Sequence, residues 1–165
     1  MTRPSLLVAA VAVLVSFAAC GQPADPSADN RNSGQVLNAT ETSQDFGDYV
    51  VHFNALSTTE LDPKIAREYG IVRSKSRAML TVTILKKREN GKTTAVPGSV
   101  ATSLTNLTGQ FRKMPMREIR EGDAIYYIGE MTFTNAETVI FTIDVTPIND
   151  PSRYTIHFMK QFFTD

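Results

Sequence analysis

Three basic residues at alternate positions, Arg73, Lys75 and Arg77, lead into a run of alternating apolar residues that begins at Ala78. With a strand starting at Val72, all three side chains stand on one face and Ser74 and Ser76 on the other. Such a stripe of positive charge can hold anionic lipid headgroups, lipopolysaccharide phosphates or the acidic surface of an envelope protein. Its plain alternative is a solvated edge whose charges oppose edge-to-edge aggregation. Lys64 and Arg67 precede the stripe, and Arg112, Lys113, Arg117 and Arg120 make a second basic run.

Other chemistry-bearing residues are sparse. The only histidines, His52 and His157, fall at outward positions of predicted strands, where a lone imidazole is ordinarily a surface residue. Glu118, Glu121 and Asp123 crowd a turn beside Arg117 and Arg120, the composition of a solvated hairpin tip more than of a carboxylate pair set for acid–base work. Met114 and Met116 flank Pro115, and with Met79, Met159 and the histidines they are the ligand types that select Cu(I). Their spacing matches no metal motif, and strand methionines commonly fill irregular core gaps. No serine sits in a nucleophile elbow or a Ser-x-x-Lys arrangement. The sequence therefore predicts no catalytic residue, no metal site and no cofactor. Copper handling or weak enzymatic activity through these side chains is the alternative to a binding or structural role.

Cys20, the single cysteine, points to lipid. Arg3 supplies a positive N-terminal region, and Leu6 to Phe17 an apolar stretch of the roughly 7–15 residues found in secretory signals. That is short of the about 20 residues of a membrane helix. Phe17-Ala18-Ala19-Cys20 resembles the box at which bacterial lipoproteins are cut just ahead of a lipid-modified cysteine, with Phe17 where Leu is usual. Attachment of more than one acyl chain at Cys20 gives stable anchoring, at ~0.8 kcal/mol per buried CH₂. A cut ahead of Gly21 instead leaves a soluble periplasmic protein. Because Gly21, not Asp, follows the cysteine, the expected address is the periplasmic face of the outer membrane of a Gram-negative bacterium.

The elements that must position these residues follow from composition and periodicity. Residues 1–20 form the leader with its cysteine, and residues 21–43, rich in Pro, Asp, Asn, Ser and Thr, a flexible linker with only Val36 and Leu37 as sizeable apolar residues. Residues 44–165 form one domain. There Tyr49, Val51, Phe53 and Ala55 take alternate positions with Val50, His52 and Asn54 between them, and the same spacing recurs in Ala78 to Ile84, Ile125 to Phe133, Val139 to Val145 and Tyr154 to Phe162, each the period of a half-buried strand. Asn90-Gly91, Gly122-Asp123, Asn135-Ala136 and Asn149-Asp150-Pro151 mark turns between antiparallel neighbours. Asp62 as cap, Pro63 at the first position and Gly70 as stop predict one short helix bearing Leu61, Ile65 and Tyr69 on one face, against a sheet edge or one end of the core. Thr93 to Arg112, with Pro97, reads as an edge strand or a loop. The pattern predicts an all-β, immunoglobulin/fibronectin-like antiparallel sandwich of seven or eight strands with one short helix. A partly open barrel is the alternative.

The chain's 17 basic and 17 acidic residues cancel, which argues against nucleic acid as a partner, and one cysteine permits no internal disulfide. The strings FGDYVVHFNALST, AREYGIVRSKSR, NLTGQ, REIREGDAIYYIGE and the terminal QFFTD resemble the DUF4426 family of small exported proteobacterial proteins across about Gln44 to Asp165. The resemblance implies an envelope setting and carries no activity, ligand or catalytic residue with it. Members of that family often have a plain leader, so Cys20 is where this chain departs from them.

Overall fold

Alternation of apolar and polar side chains decides the architecture. The computed structural model describes residues 36–37 and 40–164; the leader, Cys20 and most of the expected linker lie outside the described residues. The elements run β1 (Val36–Leu37), β2 (Ser43–Asp45), β3 (Tyr49–Ser57), a 3₁₀ turn (Thr58–Glu60), α1 (Pro63–Glu68), β4 (Arg77–Lys87), β5 (Thr93–Ala95), β6 (Gly98–Asn106), β7 (Phe111–Met114), β8 (Arg117–Glu121), β9 (Ala124–Thr132), β10 (Glu137–Pro147) and β11 (Tyr154–Phe162). One sheet, the β10 sheet, has the order β1-β11-β10-β6-β7; the other, the β4 sheet, has the order β2-β3-β4-β9-β8 with β5 added to β4. Every pair is antiparallel except β1 with β11. The orders β3-β4-β9-β8 and β11-β10-β6-β7 are those of strands A-B-E-D and G-F-C-C′ of an immunoglobulin-like sandwich.

The core is made by the inward-facing set of each strand. Val139, Phe141, Ile143 and Val145 of β10 are fully buried and meet Val51, Leu80, Val82 and Ile84 of the facing sheet. Phe141 stacks on Phe158 with ring centroids 4.5 Å apart, and Phe158 in turn meets Phe53 at 4.9 Å. All four turn signals fall between successive strands, and the backbone confirms the residue types, with positive φ at Gly91, Gly122, Ala136 and Asn149.

Three expectations are corrected. The stretch from Thr93 to Arg112 does hold a short edge strand, β5, but beyond Pro97 it forms β6, an interior strand between β10 and β7, in place of the expected edge strand or loop. Its buried residues include only one large side chain, Leu104, beside Thr102, and its outer positions are small and polar, so its alternation is muted. Pro97 lies just ahead of β6, where the chain leaves β5 in one sheet for β6 in the other, and takes no place in a ladder. The helix sits on the outer face of the β4 sheet, where Ala66, Ile71, Met79 and Ile128 form a second small core. Ala66 is its buried residue, and Ile65 stays exposed. Asp62 caps it as expected, accepting from Lys64 N at 2.7 Å, with Pro63 at its first position. Finally, Val36 and Leu37, the two apolar residues of the expected linker, form β1 on the free edge of β11, and Leu37 packs on the core.

Candidate anion-binding cleft

The chain leaves the β10 sheet after Met114, turns at Pro115 and enters the β4 sheet as β8. The β8–β9 ladder begins at Arg117 opposite Ile128, and two residues further along this register Pro115 falls opposite Glu130, where proline has no N–H to give. β9 therefore runs on through Glu130 to Thr132 without a partner on that side. Phe133 N bonds Ser76 O on the β4 side, so by ladder alternation the N–H and C=O groups of Glu130 and Thr132 face the gap. The gap is a cleft of about 300 Å³ with an apolar floor of Leu104, Met114 and Met131 and a rim of Arg77, Arg112, Lys113 and Glu130. Gly129 lets the crossover approach: a Cβ there would lie 2.5 Å from Met116 Sδ and 2.7 Å from Met114 Sδ.

The three cations have different duties. Arg112 points inward from β7 and brackets both sheets, its Nη1 donating to Thr132 O and its Nη2 to Glu137 Oε1, each at 3.0 Å. Arg77 stands 3.6 Å from Glu130 Oε2, a looser ion pair. Lys113 has no ion-pair partner among the described residues. Three cations against the carboxylates of Glu130 and Glu137 leave the cleft lining positive, with Arg77 only loosely paired and Lys113, which leaves β7 on its outer side, at the rim. A planar guanidinium and an ammonium over an apolar floor suit a carboxylate or phosphate carried on an apolar body.

The basic stripe is not a strand. Residues 71–76 are a loop, and β4 starts only at Arg77. The fully buried Thr58 hydroxyl takes over the role of a ladder: it accepts from Ser74 N at 2.9 Å and bonds Ser74 O at 3.2 Å. A side-chain bond from a residue 16 positions earlier thus stands where strand pairing was expected. A turn then closes between Ser74 O and Arg77 N. Arg73 donates to Thr59 O at 2.7 Å, Lys75 is exposed in the turn, and only Arg77 reaches the cleft. Arg112 and Lys113, read from the sequence only as a second basic run, are the residues that join it.

The remaining candidates are dispersed. His52 and His157 occupy the outer faces of opposite sheets, the latter with Nδ1 3.1 Å from Thr142 Oγ1. Met79 lies under α1 and Met159 on the outer face of the β10 sheet, so of the methionines named in the sequence only Met114 and Met116 converge. Two of the three hairpin carboxylates, Glu118 and Glu121, are occupied. Glu118 accepts from Arg120 Nε at 2.6 Å and from the Tyr127 hydroxyl at 2.9 Å, and these bonds hold its carboxyl below the usual range. Glu121 accepts from the Tyr69 hydroxyl, which this bond, with burial second, pushes up to about 12. A larger hollow of about 700 Å³ between β5 and the β8–β9 turn is lined by Arg120, whose charge Glu118 already takes. Cys20 lies outside the described residues. No helix among the described residues is long and apolar enough to cross a membrane.

Strand order and cleft together define an immunoglobulin-like β-sandwich with a positively charged gap at one sheet crossover. The chain belongs to the DUF4426 family, a domain of unknown function, whose model matches residues 43–165. It is similar to a DUF4426 family protein from Pseudomonas aeruginosa PAO1 known from a crystal structure, with 34% identity and a TM-score of 0.64 over 74% of this chain and 94% of that one. No curated protein matches the chain.

Proposed function

We propose that the protein is a lipid-anchored, non-enzymatic binding domain of the cell envelope, held through Cys20 at the periplasmic face of the outer membrane, whose cleft receives an anionic group of its partner. The observation that carries the binding part is that Arg77 and Lys113, contributed by different sheets, both line the cleft whose floor is Leu104, Met114 and Met131. Arg112 serves as their structural support. The anchoring part rests on the apolar leader that ends in two alanines and the sole cysteine.

Metabolic labelling with an alkyne fatty acid tests the anchor: wild type carries label and fractionates with the outer membrane, and Cys20→Ser carries none. Equal labelling of both, or fractionation with the inner membrane alone, overturns that part. Binding is tested separately with an anionic amphiphile as probe. Arg77→Glu with Lys113→Glu is expected to abolish it while leaving the fold intact.

A further inference from the structure

The two outer faces of the sandwich differ. That of the β4 sheet is roofed by α1 over its own apolar cluster; that of the β10 sheet has no such cover among the described residues. Yet most of the large apolar side chains left exposed belong to this bare face or its margin. Phe111 is 63% exposed, Val36 46% and Met159 37%, with Leu107 and Phe163 at the end of the same sheet. Strand register aligns Phe111, Thr105, Ile140 and Met159 in a row across four strands. Charge is nearly absent: of the outward residues on β6, β7, β10 and β11 only Lys113 and Asp144 carry any, and Arg153 Nη2 lies 2.6 Å from Asp144 Oδ2. The rest are mainly Ser and Thr, with His157 bonded to Thr142.

We infer that this face is a dimer interface and that its occupant is a second copy of the chain. β6 and β11 with nine residues, β10 with eleven and β7 with four, about 4.8 Å apart at about 3.3 Å per residue, offer about 500 Å² before β1 and side-chain relief are counted. A stable interface of ordinary size needs about 800 Å² per partner. β1 and the relief of Phe111, Met159 and Val36 bring the face toward that area. A foreign protein or an anionic membrane would be selected by complementary charge, which this face lacks. Two identical copies need none, and the one charge of the face left without an ion-pair partner among the described residues, Lys113, lies at its margin on the end strand β7. Flat antiparallel sheets pack readily face to face, as the two inner faces of this molecule do. The face meets the cleft only at Lys113, which the test below leaves unchanged.

Because Cys20 is the only native cysteine, cysteines placed on the face report proximity in the intact envelope. Thr142→Cys and Ser103→Cys, treated with a short bis-maleimide, are expected to yield an adduct of twice the chain mass above the wild-type background. Thr83→Cys, on the outer face of the β4 sheet, is expected to yield none. Adding Ile140→Lys should cut the adduct about tenfold or more, since it seats an unpaired charge in the contact. If that variant fails to accumulate, Ser103→Arg in the Thr142→Cys background serves the same end. No adduct from either face position, an equal adduct from Thr83→Cys, persistence of the adduct in the folded charged variant, or an adduct with a different protein would each overturn the inference.

Discussion

Arg112→Met separates support from binding at the cleft. It removes two hydrogen bonds, one to the Thr132 carbonyl and one to Glu137, whose side chain is only 11% exposed, while the methionine retains most of the apolar stem. The carbonyl bond is worth about 1 kcal/mol and the charge-assisted one about 1.5–3 kcal/mol. The Arg112 side chain is itself 37% exposed, so screening trims the ionic part. A net loss of about 2–3 kcal/mol is expected, a large share of the ~5–15 kcal/mol of a domain. Urea unfolding of the mature chain gives the number, with the slope m unchanged. Much of the loss comes from the carboxylate left without its cation, so Glu137→Gln in the Arg112→Met background should cost less than the sum of the single changes. A loss under about 0.5 kcal/mol, or strict additivity of the pair, would refute the bracket role.

Three further outcomes follow from the fold. Gly98→Ala should destabilise by about 1–3 kcal/mol in the same assay, because a Cβ would meet Thr146 O at 2.6 Å and Pro147 Cα at 3.0 Å, backbone that cannot step aside. A chain beginning at Glu41 should be about 1 kcal/mol less stable than one beginning at Gly34, since it loses the β1 ladder and the Leu37 contact; equal urea midpoints would mean that β1 contributes nothing. Thermal stability should be flat between about pH 5 and pH 10 and fall on both sides. On the acid side Asp45, Glu118 and Asp144 have folded-state pKa values below their unfolded ones, so their contribution is present above the unfolded values and is lost as pH falls through the folded ones. Lys87 holds Asp45 down, Arg120 and then Tyr127 hold Glu118 down, and at Asp144 burial acts upward but the bonds from Arg153 and Thr155 outweigh it. On the alkaline side Tyr69, raised to about 12, contributes stability present below the unfolded value near 10 and lost as pH rises through 12.

The sandwich was legible because strands such as β3 and β10 are half-buried and alternate along most of their length, and because most of its turns use Gly or Asn where positive φ is needed. β6 was obscured because Thr102 and Leu104 are its only fully buried side chains, and β1 because two apolar residues cannot make a visible period. The cleft was half legible. Arg77 and the run at Arg112 and Lys113 stood out as basic, but their meeting depends on register across two sheets and on a proline at the crossover. Nor does local pattern reveal that Thr58 replaces a ladder at Ser74 and turns the expected stripe into a loop.

The central claim is that the cleft between β7 and β9 binds an anionic group. Its most direct test is a titration of the isotope-labelled mature chain with dodecyl phosphate kept below micelle formation, followed through backbone amide shifts. The account predicts shifts concentrated at Arg112 to Met114 and Glu130 to Thr132, weaker at high salt because exposed charges are screened, and lost in the Arg77→Glu, Lys113→Glu variant. Shifts that are absent, that an uncharged dodecyl glycoside reproduces, or that survive the double charge reversal in a folded protein would contradict it.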